Sequence, residues 1–243
     1  MRLDVVWHDL ECSAYDEDLP LWRALAGGAG GPVLDVGAGT GRVSLDLAAG
    51  GVAVVALDAD ASLLEALEHR AAGLPVETVV ADARDFVLGR RFPLVLVPMQ
   101  TLQLLGGRSG RAAFLRRALD HLEPGGLLAV ALADAMDCFD DEREMPPPPD
   151  ACEIAGVRYA SQLIKVMDED GRAAIHRLRE VIGPGRRYES IEAVVRLDRV
   201  AADEVAAEAA ELGFATEQYL FIPETEEYLG STVVVLRAPM PAP

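Results

Sequence analysis

The stretch VLDVGAGTGR, residues 33–42, decides which fold the rest of the sequence has to fit. A short apolar run typical of a buried strand leads directly into Gly37, Gly39 and Gly41. Glycine accepts positive φ angles and lets another group approach the backbone closely. A glycine-rich loop between a strand and a helix presents backbone N–H groups to a ligand. The stretch therefore predicts a ligand-binding turn after the first strand.

Strand-like and helix-like segments alternate over residues 33–132. The strand-like runs are continuously apolar, as expected for strands buried on both faces, and the helix-like segments carry apolar residues at helical spacing. This alternation predicts right-handed crossovers and a parallel sheet covered by helices on both faces. The predicted strands are 33–36, 52–57, 75–80, 93–97 and 127–132, with the helices ASLLEALEHRAA and RAAFLRRALDHL between them.

The pattern changes after MPPPPD, residues 145–150. Four consecutive prolines cannot continue a helix or donate to a sheet, which indicates an extended connector. Strand-like segments separated by DEDG and GPG follow, and short turns between consecutive strands predict an antiparallel meander. The meander strands are 157–167, 173–182 and 187–197, followed by a helix at 201–213 and strands at 217–223 and 231–238. The expected organisation is an N-terminal lid or helical segment (1–32), a core (33–145 and 199–238) and an antiparallel β insertion (150–198).

Charge and composition exclude several classes of protein. The chain has 243 residues and a formal net charge of −18, which disfavours binding to nucleic acid or to an anionic membrane surface. The apolar runs are too short to cross a bilayer, and the N-terminus shows no export signal, so a cytoplasmic location is expected. The three cysteines form no C-x-x-C pair and the four histidines lack ligand spacing, so no metal site is expected.

The glycine spacing separates two kinds of nucleotide site. A dinucleotide-binding loop has the pattern G-x-G-x-x-G, whereas Arg42 occupies the last glycine position here. A ligand without a pyrophosphate fits this loop better. An oxidoreductase with a nucleotide cofactor stays open as an alternative, and so does a protein that binds a cofactor without turning it over.

VLDVGAGTGR resembles the first motif of class I S-adenosylmethionine-dependent methyltransferases, in which an acidic residue stands two positions before G-x-G-x-G. Further matches follow in order at VVALDAD, VVADARDF, LVLVPMQTLQLL and LEPGGLLAVAL. The resemblance implies a Rossmann-like, seven-stranded, mostly parallel sheet with helices on both faces. It also implies a small antiparallel β insertion, as in the family members that methylate small molecules. It also implies S-adenosyl-L-methionine as the cofactor. The chain departs from the family at Pro93, where an aspartate is usual.

The resemblance also implies roles for individual residues. Asp58 would bind both ribose hydroxyls, Asp82 and Ala83 would contact the adenine, and Asp35 would hold the loop or, through water, the cofactor's ammonium. The complete set of residues expected to bind the cofactor is Tyr15, Asp35, Gly37, Ala38, Gly39, Thr40, Gly41, Asp58, Ala59, Asp82, Ala83, Arg84, Pro98, Met99 and Gln100.

Methyl transfer is a direct displacement, so the enzyme mainly aligns the reactants and excludes water. No general base is evident, and the weak candidates for a catalytic residue are Tyr15, Gln100, Asp134 and His176. Tyr15 is equally well interpreted as packing a helix on the sheet. Gln103 also follows the fourth strand and is a further site candidate, but it is equally well interpreted as facing solvent on a helix; the alternative for Asp134 is a cap of its strand end. The resemblance implies that the insertion covers the substrate pocket, and its unpaired edges predict a homodimer. The acidic composition favours an amine or neutral small molecule as acceptor, and N- over O-methylation.

Overall fold

The computed structural model describes residues 2–133, 139–140, 148–183, 188–225 and 228–240. In chain order the elements are α1 (Leu3–Cys12), α2 (Leu19–Ala29), β1 (Val33–Val36), α3 (Arg42–Ala49), β2 (Val54–Asp58), α4 (Ala61–Arg70), β3 (Val76–Val80), β4 (Phe92–Val97), a 3₁₀ helix (Thr101–Leu104), α5 (Gly107–His121), β5 (Leu122–Ala133), β6 (Phe139–Asp140), β7 (Asp150–Ile154), β8 (Val157–Glu169), β9 (Arg172–Ile182), β10 (Tyr188–Asp198), α6 (Ala202–Ala210), β11 (Ala215–Ile222) and β12 (Ser231–Arg237).

These elements fall into two compact units. The smaller unit combines the first 14 residues with residues 135–199, and the larger unit combines residues 15–134 with residues 200–243. The N-terminal segment expected at 1–32 is therefore divided between the two units after residue 14.

The larger unit is built on a seven-stranded sheet of order β11-β12-β5-β4-β1-β2-β3. The pairs from β3 to β5 are parallel, and β12 runs antiparallel to both β5 and β11. The predicted fold class, a mostly parallel seven-stranded Rossmann-like sheet, is confirmed.

Alternate residues of the central strands enter two separate cores, one on each face of the sheet. Leu34 and Val95 pack with residues of α5 and α6 on one face, whereas Val33 and Leu94 pack with α2 and α3 on the other. Both faces of the sheet are thus buried under helices. This explains why these strands show continuous apolar runs in place of alternation.

Strand register brings the ends of β1, β2, β3 and β4 to one edge of the sheet. Asp35 pairs with Ala56 on β2 and with Leu96 on β4, and Asp58 pairs with Val80 on β3. Ligands of open α/β sheets bind outside the carboxyl ends of the strands. The candidate site of the larger unit therefore lies at this edge.

Strand β5 begins five residues earlier than the predicted start at residue 127. Leu122 already pairs with Phe92 of β4, and the register then shifts between Phe92 and Leu94. Pro93 lies at this shift. Because proline has no N–H to donate, it belongs at an irregularity of the ladder and not within it. The departure from the family at this position therefore affects strand entry.

The smaller unit is an antiparallel sheet of order β10-β9-β8-β6, with β7 also paired to β8. The predicted meander is confirmed, and β6 and β7 extend it. Within this unit α1 packs on β8 and β9. Trp7 meets Tyr159 edge to face at 5.7 Å, and Glu11 accepts hydrogen bonds from Ser161 and Arg179. In the part of the chain described here, no helix is both long and apolar enough to cross a membrane.

Candidate functional site

The loop that follows β1 depends on glycine at three positions. Gly37, Gly39 and Gly41 have φ angles of 76°, 55° and 98°, all in the left-handed region. A Cβ on Gly37 would lie 2.5 Å from the side chain of Thr101, and a Cβ on Gly41 would overlap the buried side chain of Leu67. The loop is thus pressed between the 3₁₀ helix and α4, which leaves its backbone as the surface available to a ligand.

Asp58, the last residue of β2, closes this loop from the neighbouring strand. One carboxylate oxygen accepts the Gly39 N–H at 2.8 Å, and the other accepts the Asp60 N–H at 2.9 Å. Each carboxylate oxygen can accept a second hydrogen bond. Asp58 therefore supports the turn and still offers two adjacent acceptors, the number that a pair of neighbouring ribose hydroxyls requires.

Asp35 lies in the middle of β1 and is completely buried. Ser44 of α3 donates to one of its oxygens at 2.6 Å, whereas the other oxygen, Oδ1, has no hydrogen-bond partner among the described residues. Burial raises the pKa of this carboxyl to about 6, although Ser44 and the Arg42 guanidinium oppose the rise. An unpaired buried carboxylate oxygen is costly, so a donor from a ligand would stabilise it.

Tyr15 is buried in the core formed by α2 and α3, which fits its interpretation as a packing residue. Its ring centroid lies 4.9 Å from that of Tyr228. Its hydroxyl makes no hydrogen bond of normal geometry with the described residues, although the nearby Ser231 side chain acts slightly to lower its pKa. Burial raises the pKa of the phenol to about 12, so the hydroxyl stays protonated and available as a donor.

Unpaired polar atoms occur at three of the predicted site residues. Within the described residues, the buried side-chain atoms without a hydrogen-bond partner are the Tyr15 hydroxyl, Asp35 Oδ1 and His176 Nε2. Buried polar groups are nearly always satisfied in folded proteins. Each of these atoms is therefore a candidate contact for a ligand.

The residues after β3 are already engaged with one another. Arg84 donates to Asp82 through its backbone N–H at 2.8 Å and through its guanidinium at 2.6–3.2 Å. These hydrogen bonds lower the pKa of Asp82 to about 2. Both side chains are half exposed, while Ala83 between them is buried. Asp82 is therefore an anion at the strand end, in the place predicted for an adenine contact.

The turn after β4 contains backbone strain. Met99 has a φ of 54° although it is not glycine, and such a conformation costs about 1–2 kcal/mol. Thr101 donates to the Pro98 carbonyl at 3.0 Å, and Gln100 begins the 3₁₀ helix as its partly exposed N-cap. Strain of this kind persists where the surroundings enforce it, often at ligand sites.

Gln103 does not face solvent. Its side chain is buried, accepts the Ala133 N–H at 3.0 Å and donates to the Ala133 carbonyl at 3.4 Å. It therefore fixes the end of β5. The candidate Asp134, the next residue, lies outside the described residues. The remaining predicted residues Ala38, Thr40 and Pro98 are buried, and Ala59 is exposed.

His176 belongs to the smaller unit, on β9. Its Nδ1 is 2.5 Å from a carboxylate oxygen of Glu192 on β10, and its Nε2 lies 3.8 Å from Glu169. When the neutral ring donates from Nδ1 to Glu192, the lone pair of Nε2 is free to accept a proton. The geometry is chemically suitable for a general base.

The contacts among Arg42, Asp18 and Trp22 could not be predicted from the sequence. Arg42 and Asp18 form a buried ion pair with two contacts of 2.5 and 2.7 Å, and Trp22 donates its indole N–H to Asp18 at 2.7 Å. From its position in the motif, Arg42 was identified only as the residue that replaces a glycine. An arginine at the first position of a helix, where the helix dipole disfavours a cation, could have indicated that a carboxylate lies nearby.

Comparison with known proteins agrees with this geometry. Residues 33–126 match the family described as a methyltransferase domain. Two curated relatives are 38% identical to this chain: the cypemycin N-terminal methyltransferase of a Streptomyces species, over 111 residues, and the demethylmenaquinone methyltransferase of Clavibacter sepedonicus, over 110 residues. These matches cover 46% and 44% of this chain and 43% of each relative.

Solved structures match nearly the whole chain. The sugar N-methyltransferase KedS8 from a Streptoalloteichus species has a TM-score of 0.73 at 19% identity and covers 97% of this chain and 92% of its own. The S-adenosylmethionine-bound amino pentose methyltransferase CalS10 from Micromonospora echinaspora has a TM-score of 0.67 at 23% identity, with 95% and 91% covered. The resemblance to class I S-adenosylmethionine-dependent methyltransferases is confirmed: residues 33–126 match a methyltransferase domain, and the solved methyltransferase structures share the fold of this chain.

Proposed function

We propose that this chain is an enzyme that uses S-adenosyl-L-methionine to methylate a small molecule, with an amine as the accepting group. The observation that carries the proposal is the set of acceptors and donors around the glycine loop. Asp58 keeps two acceptor positions beside the loop, and Asp35 Oδ1 and the Tyr15 hydroxyl are buried with no hydrogen-bond partner in the described part of the chain. These groups match the sugar hydroxyls and the amino-acid end of that cofactor.

Each part of the cofactor has a group of this chain to hold it. In this proposal Asp58 accepts the ribose hydroxyls, in charge-assisted bonds worth about 1.5–3 kcal/mol each. Asp82 and Ala83 hold the adenine edge, Asp35 accepts from the ammonium, and Tyr15 donates to the amino-acid end. When bound, the cofactor supplies an electrophilic methyl group on a sulfonium. Asp35 and Tyr15 are buried, so water is excluded from the amino-acid end of the site.

The choice of an amine rests on two observations. The names of similar proteins include an N-terminal methyltransferase, a sugar N-methyltransferase and an amino pentose methyltransferase. The net charge of −18 attracts a cationic acceptor. The match to a demethylmenaquinone methyltransferase covers the cofactor half of the fold, so that half does not select the acceptor.

Binding and turnover separate this proposal from the alternatives. Calorimetric titration with S-adenosylhomocysteine and with NAD(H) should show saturable heat only for the former, whereas the reverse would support an oxidoreductase. A panel of amines, phenols and alcohols is then assayed for formation of S-adenosylhomocysteine. Turnover confined to amines supports the proposal. Cofactor binding without turnover of any acceptor would support a non-catalytic binding protein.

We also propose that the smaller unit forms a homodimer through its sheet. Strand β10 lies at the edge of the sheet and is 11 residues long, and Tyr188 and Ile191 on it are 56% and 64% exposed. A long exposed edge of this kind tends to pair with another chain. Light scattering of the wild type should give twice the chain mass, and Ile191→Lys should lower it. A wild-type monomer at high concentration would contradict the proposal. The cytoplasmic location, the absence of nucleic-acid and membrane binding, and the substrate cover stay predictions.

A further inference from the structure

Arg42 is the first residue of α3, directly after the loop, and its side chain is only 10% exposed. The helix dipole places partial positive charge at this end, so a buried cation there is unfavourable unless another group compensates it. The position is the one that a glycine occupies in dinucleotide-binding loops. The arginine therefore requires an explanation that the loop itself does not give.

The compensating group is Asp18, which lies just before α2 and whose side chain is 1% exposed. Arg42 Nη1 donates to Asp18 Oδ1 at 2.5 Å, and Arg42 Nη2 donates to Asp18 Oδ2 at 2.7 Å. The indole N–H of Trp22 donates to the same carboxylate at 2.7 Å. A two-point contact between planar groups fixes orientation as well as distance. Arg42 thus joins the start of α3 firmly to residues 15–22.

Tyr15 is fixed by the same guanidinium. Arg42 Nη1 donates to the Tyr15 carbonyl at 2.7 Å, and its guanidinium carbon lies 5.0 Å from the centre of the Tyr15 ring. Tyr228 packs against the ring at 4.9 Å. Backbone and ring are therefore both held, while the hydroxyl at the far end of the ring has no hydrogen bond of normal geometry to the residues that the structure describes.

We propose that Arg42 is a positioning residue for the cofactor: together with Asp18 it holds Tyr15 beside the glycine loop, with the Tyr15 hydroxyl directed at the cofactor's amino-acid end. This inference rests on the proposed function. It assigns to Arg42 a role in affinity beyond stabilising the fold.

The charge of Arg42 has a second consequence for Asp35. The charged groups that act on this buried carboxyl are Arg42, Asp58 and Asp18, and Ser44 donates to it. Arg42 is the cation among them, and it lowers the pKa of Asp35. Removing this charge moves that pKa upward, so the carboxylate needed for the cofactor's ammonium forms only at higher pH. Lysine at the same position keeps the charge but not the two-point contact.

The experiment measures S-adenosylhomocysteine affinity by calorimetry from pH 5 to pH 8 for the wild type, Arg42→Lys, Arg42→Met and Arg23→Met. Arg23→Met is the matched control, because Arg23 also joins α2 to α3 through two contacts with Asp46 but is exposed and does not touch Tyr15. Arg42→Lys should lose at least tenfold in affinity with its pH midpoint unchanged. Arg42→Met should lose more and shift the midpoint to higher pH, and the control should stay within twofold of the wild type.

A double-mutant cycle with Tyr15→Phe tests whether Arg42 acts through the hydroxyl. Positioning predicts that Arg42→Lys costs markedly less affinity in the Tyr15→Phe background than in the wild type. Additive losses, or Arg42 variants within twofold of the wild type at every pH, would overturn the inference. Should Arg42→Met fail to fold, Arg42→Lys and the cycle still decide. If the wild type does not bind S-adenosylhomocysteine, the proposed function is refuted. If the wild type binds but the Arg42 variants behave as just described, only the inference about Arg42 is refuted.

Discussion

Replacing Asp58 by asparagine removes one negative charge from the edge of the sheet while preserving the shape of the side chain. In the native protein the carboxylate accepts the N–H groups of Gly39 and Asp60. An asparagine side chain has one oxygen and one NH₂ group, so only one of these N–H groups keeps an acceptor. The proposed ribose contacts would change from charge-assisted to neutral.

The magnitude of the loss follows from these contacts. A hydrogen bond to a charged group contributes about 1.5–3 kcal/mol net and a neutral one about 0.5–1.5 kcal/mol. Two ribose contacts that lose their charge therefore cost about 2–3 kcal/mol. At 1.4 kcal/mol per factor of ten, Asp58→Asn should weaken S-adenosylhomocysteine binding about thirty- to a hundredfold.

Isothermal titration calorimetry of the wild type, Asp58→Asn and Asp60→Asn measures this loss. Asp60 is the control because it lies two residues away and caps α4 by accepting the Ser62 N–H at 2.8 Å. Asparagine caps helices about as well as aspartate, so Asp60→Asn should change affinity and stability little. An Asp58→Asn protein that stays folded and binds within threefold of the wild type would refute the assignment of Asp58 to the sugar.

Three further predictions concern the loop, the buried carboxyl and the candidate base. Gly41→Ala should lower the free energy of unfolding in urea by about 2–4 kcal/mol, because a positive φ and an overlap with buried Leu67 add together. Asp35→Asn should raise the free energy of unfolding at pH 7 by up to about 3 kcal/mol. The folded-state pKa of about 6 lies above the ordinary 3.8, so the charged carboxylate increasingly opposes folding as pH rises from about 4 to 6. The same substitution should weaken binding of the cofactor. His176→Gln should lower kcat with the acceptor at saturation and leave cofactor affinity unchanged, because the base would be lost while the cofactor contacts remain.

Each of these predictions has a matched control. Gly51 also has a positive φ, but a Cβ added there would have no atom within 4 Å. Gly51→Ala should therefore lower the free energy of unfolding by only about 1 kcal/mol. Asp46→Asn removes a partly exposed carboxylate of α3 and should not raise stability. His69→Gln replaces an exposed histidine of α4 and should leave kcat unchanged. Equal effects in variant and control would contradict the corresponding explanation.

Local patterns in the sequence predicted the elements that surround the loop. The strand Val33–Val36 and the glycines after it could be located because buried parallel strands are continuously apolar and left-handed turns require glycine. Asp58 and Asp82 could be placed because they follow the next two strand-like runs. Parallel register then brings these strand ends to one edge. These inferences need only short-range periodicity and the handedness of crossovers.

Contacts between distant residues were not accessible to the same reasoning. Arg42 and Asp18 are 24 residues apart, and nothing in either neighbourhood requires the other. Glu11 and Arg179 are 168 residues apart, so the sequence did not show that α1 belongs with the antiparallel sheet. For Gln103 the sequence left a role at the site and a solvent-facing position equally open, because its partner Ala133 lies 30 residues away in β5.

A crystal structure with S-adenosylhomocysteine would show directly whether the glycine loop and Asp58 together hold an adenosyl cofactor. We expect both ribose hydroxyls within about 3 Å of the Asp58 carboxylate, with the amino-acid end beside Asp35 and Tyr15. A ribose bound at another strand end, with Asp58 contacting only Gly39 and Asp60, would contradict it.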